Sequence, residues 1–241
     1  MSKVAVVTGG SKGIGLATVS RLIDDGYIVY NLDISHSEVG HFINCDVSNV
    51  DAVAKVIANL GQQHQSIDVI VSNAGRHLSA NIENTSEQML DELFSLNVKG
   101  AFSLIKHALP FMKQNGGAIV LVASDQALIG KRNSFAYNLS KAALASMART
   151  TALDYAEYNI RANAVCPGTI ETPLYHAAID SYCEKSGANK AEVHAEEEAL
   201  QPLNRLGQAT EVADYIGFLV SDKATFITGS LQVIDGGYTA Q

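Results

Sequence analysis

Tyr137 and Lys141 stand four residues apart in a stretch, residues 134–155, whose pattern is helical, so their side chains lie next to each other on one face. A phenol beside an ammonium is a candidate acid–base pair. Free tyrosine ionises near ~10 and is a poor base at neutral pH. A lysine ammonium about 4 Å away would favour the phenolate by roughly 3–4 kcal/mol at an effective dielectric near 20, about 2–3 units of pKa. Ser124 ends the preceding apolar run and can point a hydroxyl into the same pocket. These side chains suit removal of a proton from an alcohol and its return to the matching carbonyl oxygen. A tyrosine and a lysine four apart on a helix are common by chance, so the pair alone decides nothing.

The other end of the chain supplies context. Thr8-Gly9-Gly10-Ser11-Lys12-Gly13-Ile14-Gly15 follows an apolar strand and opens a helical pattern. Glycines at a helix N-terminus allow close backbone approach and leave N–H donors free for a phosphate group. The next strand ends in Asn31-Leu32-Asp33, about the ~20 residues from the glycines at which a carboxylate accepts from a ribose diol. Such a carboxylate repels a 2′-phosphate and favours NAD over NADP. Lys12 argues the other way, as a partner for that phosphate. Asp33 weighs more, because Ile34-Ser35-His36-Ser37 brings no arginine or lysine to complete a phosphate pocket. A third strand ends in Cys45-Asp46-Val47, where Asp46 could meet an adenine amino group or cap a helix. A fourth ends in Asn73-Ala74-Gly75, small enough for a cofactor to lie against the backbone.

The elements that must hold these residues alternate. Apolar runs at 4–8, 27–32, 41–45, 68–72, 118–123, 161–166 and 230–234 predict strands, several of them apolar throughout, as strands buried on both faces are. Helical patterns fall at 14–24, 50–62, 89–94, 100–113, 134–155 and 211–219. This order predicts an α/β fold: a Rossmann-type doubly wound parallel sheet of about seven strands with helices on both faces, as a single domain over 1–241. Residues 171–206 break the alternation and carry Tyr175, His176, Tyr182, His194 and Glu196-Glu197-Glu198. They are either a solvated helical face or a lid over a pocket.

Bulk properties narrow the partners. A net charge of −8 with no basic cluster argues against nucleic acid and anionic lipid. No run approaches the ~18 apolar residues of a membrane span. Three cysteines without a Cys-x-x-Cys pair suit a reducing compartment, and with no cleavable leader ahead of the first strand the cytoplasm is the expected location. The remaining partner class is a small-molecule substrate.

In order along the chain, Thr8–Gly15, Asp46, Asn73-Ala74-Gly75, Asn97-Val98-Lys99-Gly100, Ser124, Tyr137-x-x-x-Lys141, Asn163-Ala164-Val165-Cys166-Pro167-Gly168, Thr172-Pro173 and Ile234-Asp235-Gly236-Gly237 resemble the short-chain dehydrogenase/reductase family, in its single-domain subtype, over nearly the whole length. The resemblance implies hydride exchange between a nicotinamide and an alcohol/ketone pair. It implies Tyr137 as the acid–base group, Ser124 holding the substrate oxygen, and Lys141 on the nicotinamide ribose. Asn97 would sit in a helix irregularity and hold a water linking Lys141 to solvent, and Pro167, Gly168, Ile170 and Thr172 would flank the nicotinamide. It also implies a homo-oligomer, tetramer or dimer, pairing through the helices of Asn97 and Tyr137. The chain departs from the family pattern at Asp125-Gln126, after the serine, and at Arg76-His77, after Gly75. These residues suggest a polar substrate (polyol, sugar, cyclic diol or hydroxy acid), with Gln126 and His77 as candidate contacts or as second-layer residues. The alternatives are an NADPH-dependent ketoreductase of the 3-oxoacyl-carrier-protein type, or a non-catalytic NAD-binding regulator, which would not need the Ser124, Tyr137, Lys141 and Asn97 set.

Overall fold

The computed structural model describes residues 2–241. Seven strands form one sheet: β1 Val4–Thr8, β2 Ile28–Asp33, β3 His41–Asn44, β4 Val69–Ser72, β5 Gly117–Val122, β6 Ile160–Pro167 and, last in the chain, β9 Leu231–Ile234. Their order is β3-β2-β1-β4-β5-β6-β9, and every neighbouring pair is parallel. The order reverses beside β1, which leaves a crevice at the carboxyl ends of β1 and β4, where doubly wound sheets take their ligands.

Period-two alternation divides the core between the two faces. Val4 and Val6 of β1, Ile70 of β4, and Ile119 and Leu121 of β5 pack into one cluster. Ala5 and Val7, Val69 and Val71, and Ala118, Val120 and Val122 pack into the other. Helices α2 Val50–His64, α4 Gly100–Met112 and α5 Phe135–Asp154 cover the first face. Helices α1 Gly13–Asp24 and α8 Ala209–Val220 cover the second. The short helix α3 Glu87–Phe94 runs into a π-turn, Ser95–Lys99, before α4 begins.

The expected elements all exist, with ends displaced by a residue or two for local reasons. Ser134 and Tyr155, expected inside a helix, are instead the flanking caps of α5. Helix α8 starts at Ala209, before the expected 211, because the Glu211 carboxylate reaches back to accept from the Gln208 N–H at 2.8 Å. Asp46 does not cap α2. Asn49 does, accepting from Ala52 N, while Asp46 Oδ1 accepts from Ser48 N and Oγ in a local turn. Residues 171–206 form two helices, α6 Pro173–Ser186 and α7 Lys190–Leu200. This excursion leaves and returns at one place, because β7 Ile170–Glu171 and β8 Gly207–Gln208 pair in parallel.

Candidate active site

The glycine loop is shaped by close approach. Gly9 and Gly13 have φ of +66° and +52°, where a Cβ is strained. A Cβ on Gly15 would overlap the Gly9 carbonyl oxygen, so the first turn of α1 can lie against the loop only without one. Lys12 takes the N-cap position of α1 without a side-chain cap, and no acidic residue follows in the first turn, so that helix end retains its positive dipole. Ile14 and Gly15 continue into the helix. The loop is tied to the ends of its neighbours. Asn73 Nδ2 donates to the carbonyls of Thr8 and Gly9 at 3.1 and 3.0 Å, and Thr8 Oγ1 accepts from the N–H groups of Asn73 and Ala74. Asp33 is fixed by two backbone donors, Ser11 N on Oδ2 at 3.0 Å and Ser35 N on Oδ1 at 2.9 Å. A Cβ on Gly13 would lie 3.2 Å from Thr172 Cγ2, so the loop faces the Thr172-Pro173 start of α6 across a narrow gap. Ile170 is buried just before it in β7, and Thr172 caps α6 by accepting from Tyr175 N. Pro167 ends β6, and Gly168 abuts Asp235 so closely that a Cβ there would come within 2.9 Å of its Cα. Val47 is buried under Gly100, and Asp46 is exposed beside it. The chain can therefore hold a dinucleotide: a glycine cradle at a free helix end, a fixed carboxylate for a ribose at Asp33, and small residues at Asn73-Ala74-Gly75.

At the far end of this cradle the polar cluster comes together. Ser124 and Lys141 are 6% exposed, Asn97 is 1% exposed, and Tyr137 is half-buried. Lys141 Nζ donates to Val122 O at 2.8 Å and lies 5.5 Å from the Tyr137 ring centroid. Asn97 sits in the π-turn. Its Oδ1 accepts from Arg76 N at 3.0 Å, and its Nδ2 donates to Arg76 O and to Ser140 Oγ at 3.1 and 3.0 Å. A Cβ on Gly75 would lie 3.1 Å from Asn97 Oδ1 and 3.8 Å from Lys141 Nζ, so the segment that follows β4 reaches both groups.

The electrostatics depart from the sequence argument. Lys141 was expected to pull the Tyr137 hydroxyl down toward neutrality. Instead burial holds Tyr137 above the ordinary tyrosine range, a Ser124 hydrogen bond opposes this, and the Asp125 carboxylate adds to it. Lys141 is itself pushed down to about 8 by burial. The cause is shared: a dry pocket disfavours the charged form of both groups.

His77 and Gln126 also border this cluster. The His77 ring meets Tyr137 edge-on at 4.8 Å, and its pKa is lowered first by burial and then by Lys131. Gln126 is half-buried at the turn Asp125–Ala127, with its Oε1 occupied by the Ser134 hydroxyl. One contributor was not legible beforehand. Glu197, within a run that reads as solvated, accepts from Thr169 Oγ1 at 3.3 Å and lies 3.4 Å from Lys131 Nζ. Its only forewarning is spacing: Glu197 is four residues after Val193, which packs on the Tyr175, Ile179 and Leu206 cluster. Tyr175 in turn hydrogen-bonds His194 Nδ1 at 2.8 Å, joining α6 to α7. Among the described residues there is no cluster of three or more metal-ligating side chains, and no helix long and apolar enough to cross a membrane.

A doubly wound parallel sheet, a glycine loop at its reversal and a Ser/Tyr/Lys cluster beside it define a nucleotide-dependent oxidoreductase. A family model described as enoyl-(acyl carrier protein) reductase matches residues 9–239. Cis-4-hydroxycyclohexanecarboxylate dehydrogenase of Sinomonas cyclohexanicum is 35% identical over 99% of this chain and 97% of its own. Among solved structures, a short chain dehydrogenase family protein from Francisella tularensis subsp. tularensis SCHU S4 superposes with TM-score 0.94 at 41% identity, covering 100% of both chains. The ligand-free aldohexose dehydrogenase of Thermoplasma acidophilum superposes with TM-score 0.93 at 36% identity, covering 100% of this chain and 95% of its own. The chain belongs to the short-chain dehydrogenase/reductase family and is an oxidoreductase of the CH–OH group with a nicotinamide cofactor.

Proposed function

We propose that the chain is an NAD-dependent dehydrogenase of a polar secondary alcohol, with a polyol, sugar, cyclic diol or hydroxy acid as the substrate class. The observation that carries this reading is the convergence of Ser124, Tyr137, Lys141 and Asn97 at one end of a cradle whose other end is closed by Asp33. Gly9, Ser11, Gly13 and Gly15 take the pyrophosphate, Asp33 the adenosine ribose, and Asp46 and Val47 the adenine. Asn73, Ala74 and Gly75 lie along the cofactor, and Pro167, Gly168, Ile170 and Thr172 flank its nicotinamide. A nicotinamide held there would supply the hydride acceptor for the alcohol carbon as NAD and the hydride donor to the carbonyl as NADH. Tyr137 exchanges the hydroxyl proton, Ser124 holds the reacting oxygen, Lys141 binds the nicotinamide ribose, and Asn97 positions the water through which Lys141 reaches solvent. His77 and Gln126 contact the substrate's further polar groups, beneath a cover formed by 171–206.

Asp33 supports NAD over NADP, since no arginine or lysine stands among the next residues, Ile34-Ser35-His36-Ser37. A homo-oligomer, tetramer or dimer, is supported by a groove on α4 and α5 lined by Phe102, Leu109, Met147 and Tyr155, with Phe102 half exposed. Three free cysteines support a reducing location, the cytoplasm.

The test is NADH formation from NAD with a panel of polyols, sugars, cyclic diols, hydroxy acids and hydroxysteroids, with Tyr137→Phe in parallel. We expect turnover of one class by the wild type, and its loss in the variant with NAD still bound. Turnover that survives in Tyr137→Phe overturns the acid–base assignment.

A further inference from the structure

A carboxylic acid directly follows Ser124, and the fold buries it: Asp125 is 7% exposed. The turn Asp125–Ala127 folds its side chain back on the serine. Ser124 Oγ donates to Asp125 Oδ1 at 2.6 Å. The Gln126 N–H points at both, 2.7 Å from Asp125 Oδ1 and 3.2 Å from Ser124 Oγ.

A hydroxyl has one proton and two lone pairs. Once the Ser124 proton is committed to Asp125, Oγ can offer the reacting oxygen only lone pairs. An alcohol, which carries a proton, can still dock on that oxygen through it, and turns the proton to Tyr137 when it reacts. A carbonyl oxygen has no proton and needs a donor. We propose that Asp125 is a positioning residue that decides which of the two Ser124 can hold. Ionised, it turns the serine proton inward and leaves a site for the alcohol. Neutral, it donates to Ser124 Oγ, and the serine proton is free for the carbonyl oxygen. No bond to carbon forms or breaks in this step; one proton moves between water and the carboxylate, and two hydroxyl directions reverse.

The surroundings place this switch within reach. Burial is the largest influence on Asp125 and raises its pKa, while the Ser124 and Gln126 hydrogen bonds oppose that rise. Lys131, from the loop beyond the turn, lowers it, and Asp235, past β9, raises it. The Asp125 charge is also felt by Tyr137 on α5 and by Cys166 on β6, and Lys141 bears on Cys166. Of these, the groups hydrogen-bonded to the Asp125 carboxylate are Ser124 and the Gln126 N–H.

The inference rests on the proposed function for its consequence but not for its first test. Carboxyl-carbon NMR of the aspartate-labelled whole protein, without cofactor or substrate, follows the resonance that disappears in Asp125→Asn. In Ser124→Ala its midpoint should rise by about one unit, because the ionised form loses its donor. An unmoved midpoint overturns the proposal. The second test uses whichever alcohol/carbonyl pair the panel yields. In the wild type the carbonyl KM should rise about threefold to tenfold as pH climbs through the measured midpoint. Its kcat should change less, and the alcohol KM should stay level. Asp125→Ala should flatten the carbonyl profile, as should Asp125→Asn, which keeps the side-chain shape. A slope that survives both variants overturns the proposal. Absence of any turnover sinks the proposed function and leaves the NMR result to decide Asp125.

Discussion

Lys141 should cost the protein stability at neutral pH, and the cost can be measured. Its ammonium is 6% exposed and is pushed down by burial from 10.5 to about 8. Below about 8 the lysine is charged in both the folded and unfolded chains, and the folded chain bears the penalty. Between about 8 and 10.5 the unfolded chain binds more proton than the folded one, so stability rises with pH and the penalty is relieved. A span of roughly 2.5 units corresponds to about 3 kcal/mol. Lys141→Met removes this term but leaves the Val122 carbonyl without its donor, which costs about 1–3 kcal/mol. At neutral pH the variant should therefore equal the wild type or exceed it by up to about 2 kcal/mol. Near pH 10.5 it should be the less stable of the two by about 1–3 kcal/mol. The assay is urea unfolding of both ligand-free proteins across this range, in which titrations common to both cancel in the difference. Parallel stability curves, with no crossing as pH rises, would refute the reasoning, because they would mean Lys141 keeps its ordinary affinity for protons in the fold.

Three further outcomes are expected. NAD should bind at least ~10-fold more tightly than NADP, about 1.4 kcal/mol, and Asp33→Ala should narrow that gap in fluorescence titrations. An unchanged ratio moves the discrimination elsewhere, and a reversed order in the wild type means Lys12 outweighs Asp33. Gly15→Ala should abolish cofactor binding, since its Cβ would meet the Gly9 carbonyl, whereas Gly130→Ala, with nothing within 4 Å, should bind normally; equal binding by the two removes the steric argument. Arg205 and the Gln208 N–H hold the Glu211 carboxyl down to about 2, so the stability this gives is present at neutral pH and lost as pH falls from about 4.5 toward 2. The effect is small because the pair is exposed. Thermal melts of Glu211→Gln should lack that acid-side loss, and identical pH profiles would count against it.

The two groups nearest the chemistry are both moved toward neutrality by the same burial, Tyr137 upward and Lys141 downward. Such a pocket is costly to maintain, and packing alone gives no reason to keep a lysine in it. A methionine would fill the space without the penalty. Packing therefore does not explain the lysine, whereas the ribose contact proposed for it would. The same holds for Asn97. Its backbone lies in a π-turn that interrupts α3 and α4, and its side chain occupies that break with bonds to Arg76 and Ser140. Insertions of this kind recur at functional sites.

The sheet was legible because it is buried on both faces, so that Val4–Thr8 and Val69–Ser72 read as unbroken apolar runs between glycine-rich turns. The cradle was legible because glycine is nearly irreplaceable where backbones touch, as at Gly9 and Gly15. What could not be read is whatever depends on a side chain choosing among neighbours distant in sequence. Asp46, Asn49 and Ser48 are all plausible helix caps, and only the path of the chain after β3 selects Asn49. The depression expected of Tyr137 failed for a related reason: spacing puts Lys141 on the right face but carries no information about how dry that face becomes. Residues 171–206 were the least legible part. Helix α7 has no fully buried residue, so no apolar stripe marks the side of Glu196-Glu197-Glu198 that turns inward. Glu197 turns inward because Thr169 and Lys131 wait there, on segments 28 and 66 residues earlier in the chain. Local sequence encodes a helix at this point, but which of its carboxylates turns inward is settled only by the docking of that helix against the loops beyond β5 and β6.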